Sequence, residues 1–154
     1  MLNPREKNIK MKTIFITGAT SGIGKATAET FAKQGHRLII CGRRKEVLEQ
    51  LQIELSNITE VYSLVFDVRN QEEVENAIHS LPEEWKNIDV LVNNAGNAHG
   101  LESISEGNIA DWDAMMDGNV KGLLYVSQPI IKIMKARNTG HIINISSVAA
   151  RQTY

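Results

Sequence analysis

Three glycines, Gly18, Gly22 and Gly24, fall within seven residues where an apolar run gives way to a helical pattern, in the stretch FITGATSGIGKAT from Phe15 to Thr27. A loop between a strand and a helix N-terminus can hold an anion. The first N–H groups of the helix lack partners, and the helix dipole favours negative charge. Glycine lets the backbone approach a phosphate closely. Lys25 follows the last glycine, so the end of ATP is one candidate ligand. Spacing argues against it. A P-loop has four residues before its Gly-Lys pair, then Ser or Thr for magnesium. Here five residues separate Gly18 from Gly24, and Ala26, which cannot ligate a metal, follows Lys25. The pyrophosphate bridge of a dinucleotide fits better, although the spacing is not the usual G-x-G-x-x-G.

A site for NAD places Asp or Glu about 20 residues further on, at the end of the second strand, to hold the ribose 2′-hydroxyl. That place holds CGRR, with Arg43 and Arg44. A guanidinium can pair bidentately with a 2′-phosphate. NADP is therefore favoured over NAD.

The elements that must position these residues alternate along the chain. Short β-branched runs at 13–17, 37–41, 61–66, 88–93 and 141–146 predict five strands. Between them, 22–34 predicts a helix ending at Gly35, and 44–56 a helix with Val47, Leu48, Leu51 and Leu55 on one face. Asn70 and Glu73 form a capping box for a helix carrying Val74, Ala77, Ile78 and Leu81, with Pro82 just beyond. A looser segment spans 96–110, and one long helix is expected from about 111 to 137. Apolar strands separated by helices predict an α/β fold, a doubly wound parallel sheet of Rossmann-like form with these as its first five strands.

The bulk numbers agree with a packed domain. Hydrophobic residues make up 42% and charged residues 23% of 154 residues, and the formal net charge is −1. No basic block supports nucleic-acid binding, and no apolar run is long enough to span a membrane. The four histidines are scattered without metal-ligand spacing, so no metal site is expected. The single cysteine, Cys41, excludes an internal disulfide and reads as a small buried hydrophobe. A cytoplasmic setting is expected, with residues 1–11 as a flexible leader and 12–154 as one dinucleotide-binding domain.

These residues resemble the short-chain dehydrogenase/reductase family. The pattern T-G-x-x-x-G-I-G stands as Thr17 to Gly24, Asp67-Val68 at the end of the third strand, NNAG as Asn93 to Gly96, Asn119 in DGNVKG, and GHIINISS ends at Ser147. The resemblance covers nearly the whole chain from Lys12, and five motifs in order are more specific than a glycine loop alone. SLPEEWKNIDVLVNNAG and GRRKEVLEQL further resemble the NADP-dependent 3-hydroxy acid dehydrogenases that act on L-serine and L-allo-threonine. The resemblance implies hydride transfer between NADP(H) and a secondary alcohol or ketone, with a small 3-hydroxy acid as the substrate candidate. It assigns Gly18, Ala19, Thr20, Ser21, Gly22, Ile23 and Gly24 to the pyrophosphate loop, and Arg43 and Arg44 to the 2′-phosphate. Asp67 and Val68 take the adenine, and Asn94, Ala95 and Gly96 line the ribose side. Ser147 would hold the substrate oxygen, and Asn119 would anchor a water in a proton relay. Asn93, in the same motif, reads equally as a tie between neighbouring strands, and Lys25 as a helix-surface residue.

The family also carries Tyr-x-x-x-Lys, the general acid/base with its neighbouring ammonium. Tyr62 is followed four residues on by Phe66, Tyr125 by Pro129, and Tyr154 is the last residue of the sequence. By the family's spacing from Ser147 the tyrosine lies beyond Tyr154. The expectation is a chain cut short of that motif, with an uncovered fifth strand and low stability alone. The apolar residues of 111–137 are expected to form a homo-oligomer interface. Two further functions stay open: a non-catalytic dinucleotide-binding fragment or partner subunit, and, disfavoured by spacing, a P-loop nucleotidase.

Overall fold

The computed structural model describes residues 10–100 and 102–151, the side chain of Ala150 excepted. Residues 1–9, most of the expected leader, and Tyr154 lie outside the described residues.

Strands β1 (Thr13–Ile16), β2 (Arg37–Gly42), β3 (Val61–Val65), β4 (Val90–Asn93) and β5 (His141–Asn144) form one parallel sheet in the order β3-β2-β1-β4-β5. Each lies on one of the predicted runs. Side chains alternate across a strand, and β1 shows the consequence. Ile14 and Ile16 join the core beneath α1 (Gly22–Lys33) and α2 (Lys45–Ser56), with Ala28, Ala32, Leu48 and Leu51. Phe15 joins the opposite core with Val74 and Ile78 of α3 (Gln71–His79) and Val126, Ile130 and Met134 of α5 (Gly122–Ala136). Two apolar layers on a central sheet explain why the strands read as apolar runs without alternation. Val47, expected on the core face of α2, is 42% exposed instead. Cys41 is buried in the sheet, and burial pushes its thiol pKa well up.

Half of the expected capping box forms. Asn70 is the N-cap of α3, and its Oδ1 accepts from the Glu73 backbone N–H at 3.2 Å. The Asn70 backbone N–H, however, donates to the Asp67 carbonyl and not to Glu73, whose carboxylate accepts from Asn70 Nδ2 and the Asp67 backbone N–H. At the opposite end of the sheet from the glycine loop, Asp89 ties three elements together. Its Oδ2 accepts from the Thr13 backbone N–H at 2.9 Å, and its Oδ1 from Arg137 Nη2 at 2.9 Å. Arg137 Nη1 also donates to the Ile88 carbonyl at 2.8 Å.

The expected long helical stretch over 111–137 runs without a break from Ile109 to Ala136, but it carries a π turn inside it. The chain forms α4 (Ile109–Met116), then a π turn over Asp117–Lys121, then α5. Gly118 and Gly122 are poor helix formers, and both pack closely against a neighbouring side chain, Gly122 the more tightly. A Cβ at Gly118 would lie 3.1 Å from Asn97 Oδ1, and one at Gly122 would lie 2.8 Å from Val68 Cγ2. The wider π turn fits the glycines against these neighbours, and such turns are frequent at functional sites.

Candidate active site

The strand order reverses direction between β1 and β4, and an open α/β sheet binds its ligands at that switch point, outside the carboxyl ends of its strands. The loops after β1 and β4 meet there. Thr17 is the joint. Its Oγ1 accepts from the backbone N–H of Asn94 at 3.0 Å and of Ala95 at 2.9 Å. Asn94 Nδ2 returns two bonds, to the carbonyls of Thr17 at 2.9 Å and Gly18 at 3.1 Å. Gly18 makes this approach feasible: its φ is +64°, and a Cβ would lie 2.9 Å from Ala95 Cα. Gly24 sits behind it, where a Cβ would strike the Gly18 carbonyl and Asn94 Nδ2. The glycines thus serve backbone-to-backbone packing under the loop as well as a phosphate above it.

A cleft of about 790 Å³ opens over this joint. From the glycine loop it is lined by Gly18, Thr20, Ser21 and Ile23, and from the end of β2 by Arg43 and Arg44. Asp67 and Val68 line it from the end of β3. Asn94, Ala95 and Gly96 follow β4, and Asn119 and Ser147 close the far side. The structure therefore brings together most residues singled out by sequence. Ala19 is buried beneath the loop, and Gly22 and Gly24 belong to the loop without lining the cleft.

The two arginines differ. Arg44 Nη2 donates to Thr20 Oγ1 at 2.7 Å and to Ser21 Oγ at 3.0 Å, which braces its guanidinium over the glycine loop. Arg43 stands free of such bonds, with Nη1 3.6 Å from Asp67 Oδ2. Asp67 itself is gripped by Arg69, whose hydrogen bonds hold the carboxyl below its ordinary pKa. Lys25 lies away from the cleft, near Glu29 at 3.9 Å and Glu54 at 3.7 Å.

On the other side, Asn119 sits in the π turn, and its side chain faces the backbone of Asn97. Its Oδ1 accepts from the Asn97 N–H at 2.9 Å, and its Nδ2 donates to the Asn97 carbonyl at 2.8 Å. Both polar ends are used, so the Asn119 side chain clamps the loop after β4. Asn93 is buried at the cleft floor. Its Nδ2 donates to Ser127 Oγ and to Asn144 Oδ1, each at 2.9 Å, so it does tie β4 to β5 and α5. Its Oδ1 is buried without a partner. Ser147 caps a short 3-10 turn over Val148–Ala150 and accepts from the Ala149 N–H at 3.2 Å. A hydroxyl that accepts in this way keeps its own hydrogen to donate. Sequence reasoning gave no role to Thr17, Arg69, Asn97 or Ser127. Thr17 was visible as the first letter of the glycine pattern; the others carry no sequence signal of their function.

The short chain dehydrogenase family profile matches residues 12–154. The chain belongs to the short-chain dehydrogenase family. It is 45% identical over 141 residues to an NADP-dependent 3-hydroxy acid dehydrogenase of Escherichia coli O6:H1, an alignment covering 92% of this chain and 56% of that one. Against a serine 3-dehydrogenase of Rhizobium radiobacter it is 43% identical over 142 residues, again covering 92% and 56%. A solved structure of a closed serine dehydrogenase complexed with NADP+ superposes with a TM-score of 0.86 at 44% identity, covering 92% of this chain and 56% of the other. The chain thus spans just over half the length of these relatives. The cleft of this short-chain dehydrogenase chain has features that suit a phosphate-bearing cofactor: a glycine loop opening a helix, in which Gly18 and Gly24 leave no room for a Cβ, and two arginines beside it. Among the described residues no cluster of His, Cys, Asp or Glu could hold a metal ion, and no helix is long and apolar enough to cross a membrane.

Proposed function

We propose that this chain carries the NADP(H) site and the substrate-oxygen donor of an oxidoreductase that interconverts a secondary alcohol and a ketone, with a small 3-hydroxy acid such as L-serine as substrate. The observation that carries it is the convergence of the glycine loop with Arg43 and Arg44 on one cleft whose other wall bears Ser147. NADP(H), when bound, supplies or accepts the hydride.

The chain's own residues orient and bind. The loop from Gly18 to Gly24 offers backbone N–H groups at the start of α1 to the pyrophosphate. Arg44, braced by Thr20 and Ser21, and Arg43 offer guanidinium N–H groups to the 2′-phosphate. Asp67 and Val68 flank the adenine, and Asn94, Ala95 and Gly96 the ribose side. Ser147 donates its free O–H hydrogen to the substrate oxygen. The side chain of Asn119 is engaged by the Asn97 backbone at both ends, so its part is to hold the loop after β4 in place beside the site. General acid/base chemistry in this family belongs to Tyr-x-x-x-Lys, which does not occur within the 154 residues. Association is assigned to the exposed apolar side of the π turn and α5, with Val120, Leu124 and Ile131.

Titration with NADPH and NADH, followed by tryptophan quenching, tests the cofactor assignment. NADPH binding at least about tenfold tighter than NADH is expected from one extra charge-assisted pair. Equal affinities overturn it. A turnover assay with L-serine and NADP+ then separates the enzyme from the second reading, a non-catalytic nucleotide-binding module. Binding without turnover by this chain supports the second.

A further inference from the structure

Arg69 stands two residues beyond Asp67 in DVRN and has so far no role in the cleft it lines. Its contacts converge on one group. Its backbone N–H donates to Asp67 Oδ1 at 3.0 Å. Its Nε reaches Oδ1 at 3.0 Å and Oδ2 at 3.1 Å, and its Nη2 reaches Oδ2 at 2.6 Å. A carboxylate has about four acceptor positions, so Arg69 alone nearly fills Asp67. Glu73 adds a second restraint. Its Oε2 accepts from the Asp67 backbone N–H at 3.0 Å, which holds Asp67 at the end of β3. Arg43 approaches the same carboxylate, but at 3.6 Å it is too far for a hydrogen bond, and its side chain is 66% exposed.

The charge pattern has a consequence for a nucleotide. A bare carboxylate here would draw Arg43 into a bond and would also repel a phosphate nearby. Arg69 prevents both by saturating Asp67. We propose that Arg69 is a specificity-determining positioning residue: by holding the Asp67 carboxylate, it leaves Arg43 available to the 2′-phosphate that distinguishes NADP from NAD. This rests on the NADP(H) assignment above and extends it to a residue outside the phosphate loop. The adenine is common to both nucleotides, so any change in adenine contact cancels in the ratio of their affinities.

The test is titration of the full 154-residue chain with NADPH and NADH in wild type, R69Q and the double variant D67N/R69Q. R69Q is expected to weaken NADPH about tenfold, the loss of one charge-assisted hydrogen bond, and to leave NADH within about twofold. Removing the carboxylate charge in D67N/R69Q is expected to restore the NADPH preference. An unchanged NADPH/NADH ratio in R69Q overturns the proposal, as does a double variant that fails to recover. If R69Q weakens both nucleotides equally, Arg69 only supports the fold and the proposal again fails. A wild-type chain without NADPH preference overturns the cofactor assignment and this proposal with it; a wild-type preference that R69Q retains overturns this proposal alone.

Discussion

Gly18 and Gly22 both hold left-handed backbone, with φ of +64° and +53°, but they differ in what surrounds them. Nothing lies within 4 Å of a Cβ at Gly22, whereas one at Gly18 would meet Ala95 Cα and Asn94 Nδ2 at 2.9 Å. Gly24 supplies the converse: its φ is not left-handed, but its Cβ would strike the Gly18 carbonyl and Asn94 Nδ2. Alanine at each position therefore separates two costs. Left-handed backbone costs a residue with a Cβ about 1–2 kcal/mol. Forcing a methyl into a packed backbone joint costs about 1–3 kcal/mol. Gly22→Ala is expected to lose about 1–2 kcal/mol of stability, Gly24→Ala about 1–3 kcal/mol, and Gly18→Ala about 2–5 kcal/mol, the sum of the two. Against a domain stability of about 5–15 kcal/mol, the last is a severe loss. Urea unfolding monitored by circular dichroism measures all three. If Gly22→Ala proves as costly as Gly18→Ala, the close approach of the loops after β1 and β4 is not what fixes Gly18, and the reasoning fails.

Three further outcomes follow from the same structure. His36 is 5% exposed, and its Nδ1 accepts from the Lys12 backbone N–H at 3.3 Å. Burial, and secondarily the Lys12 charge, lower its pKa below the ordinary 6.5, so the unfolded chain takes up the proton first. Stability should be complete above pH 6.5 and fall as pH drops through that value toward the folded pKa; His36→Gln should flatten the decline in urea midpoints between neutral and mildly acid pH. Arg137→Met removes the bonds to Asp89 and the Ile88 carbonyl and should cost about 1.5–3 kcal/mol in urea unfolding, with no selective effect on nucleotide affinity. Asn119→Ala removes both bonds to the Asn97 backbone. It should accelerate hydrogen exchange at the Asn97 amide and destabilise by about 1–2 kcal/mol; unchanged exchange there would show that the clamp is not what orders the loop.

The strands β1, β2 and β4 and the glycine loop were legible because two-sided burial writes these strands as mainly apolar runs, as IFI in β1 and VLV in β4 show. The arginines after β2 were legible because strand ends are fixed in order and the ligand lies there. The π turn was not. Its signal is a run of buried positions four apart, Gly118, Gly122, Val126, Ile130 and Met134. Counted as apolar residues, the two glycines drop out, and the exposed Met116, Val120 and Leu124 then suggest a helix apolar on several sides. The clamp of Asn119 on Asn97 and the grip of Arg69 on Asp67 were equally hidden. The first joins a side chain to loop backbone 22 residues away and is set by tertiary placement. The second joins two side chains two residues apart in a loop, where no repeating period marks it.

The strand order carries a consequence for how the cleft comes into being. β2 pairs with β1 and β3, neighbours in the chain, so the arginine-bearing wall is assembled from the first 65 or so residues by short-range closures. The joint at Thr17 must wait for β4, whose bonds to it span 77 and 78 residues of sequence. Contacts that distant form late in a folding reaction. On synthesis from the N-terminus, the charged half of the cleft would exist before its floor, and pulsed hydrogen exchange should find the β1–β2–β3 amides protected ahead of those of Asn94 and Ala95.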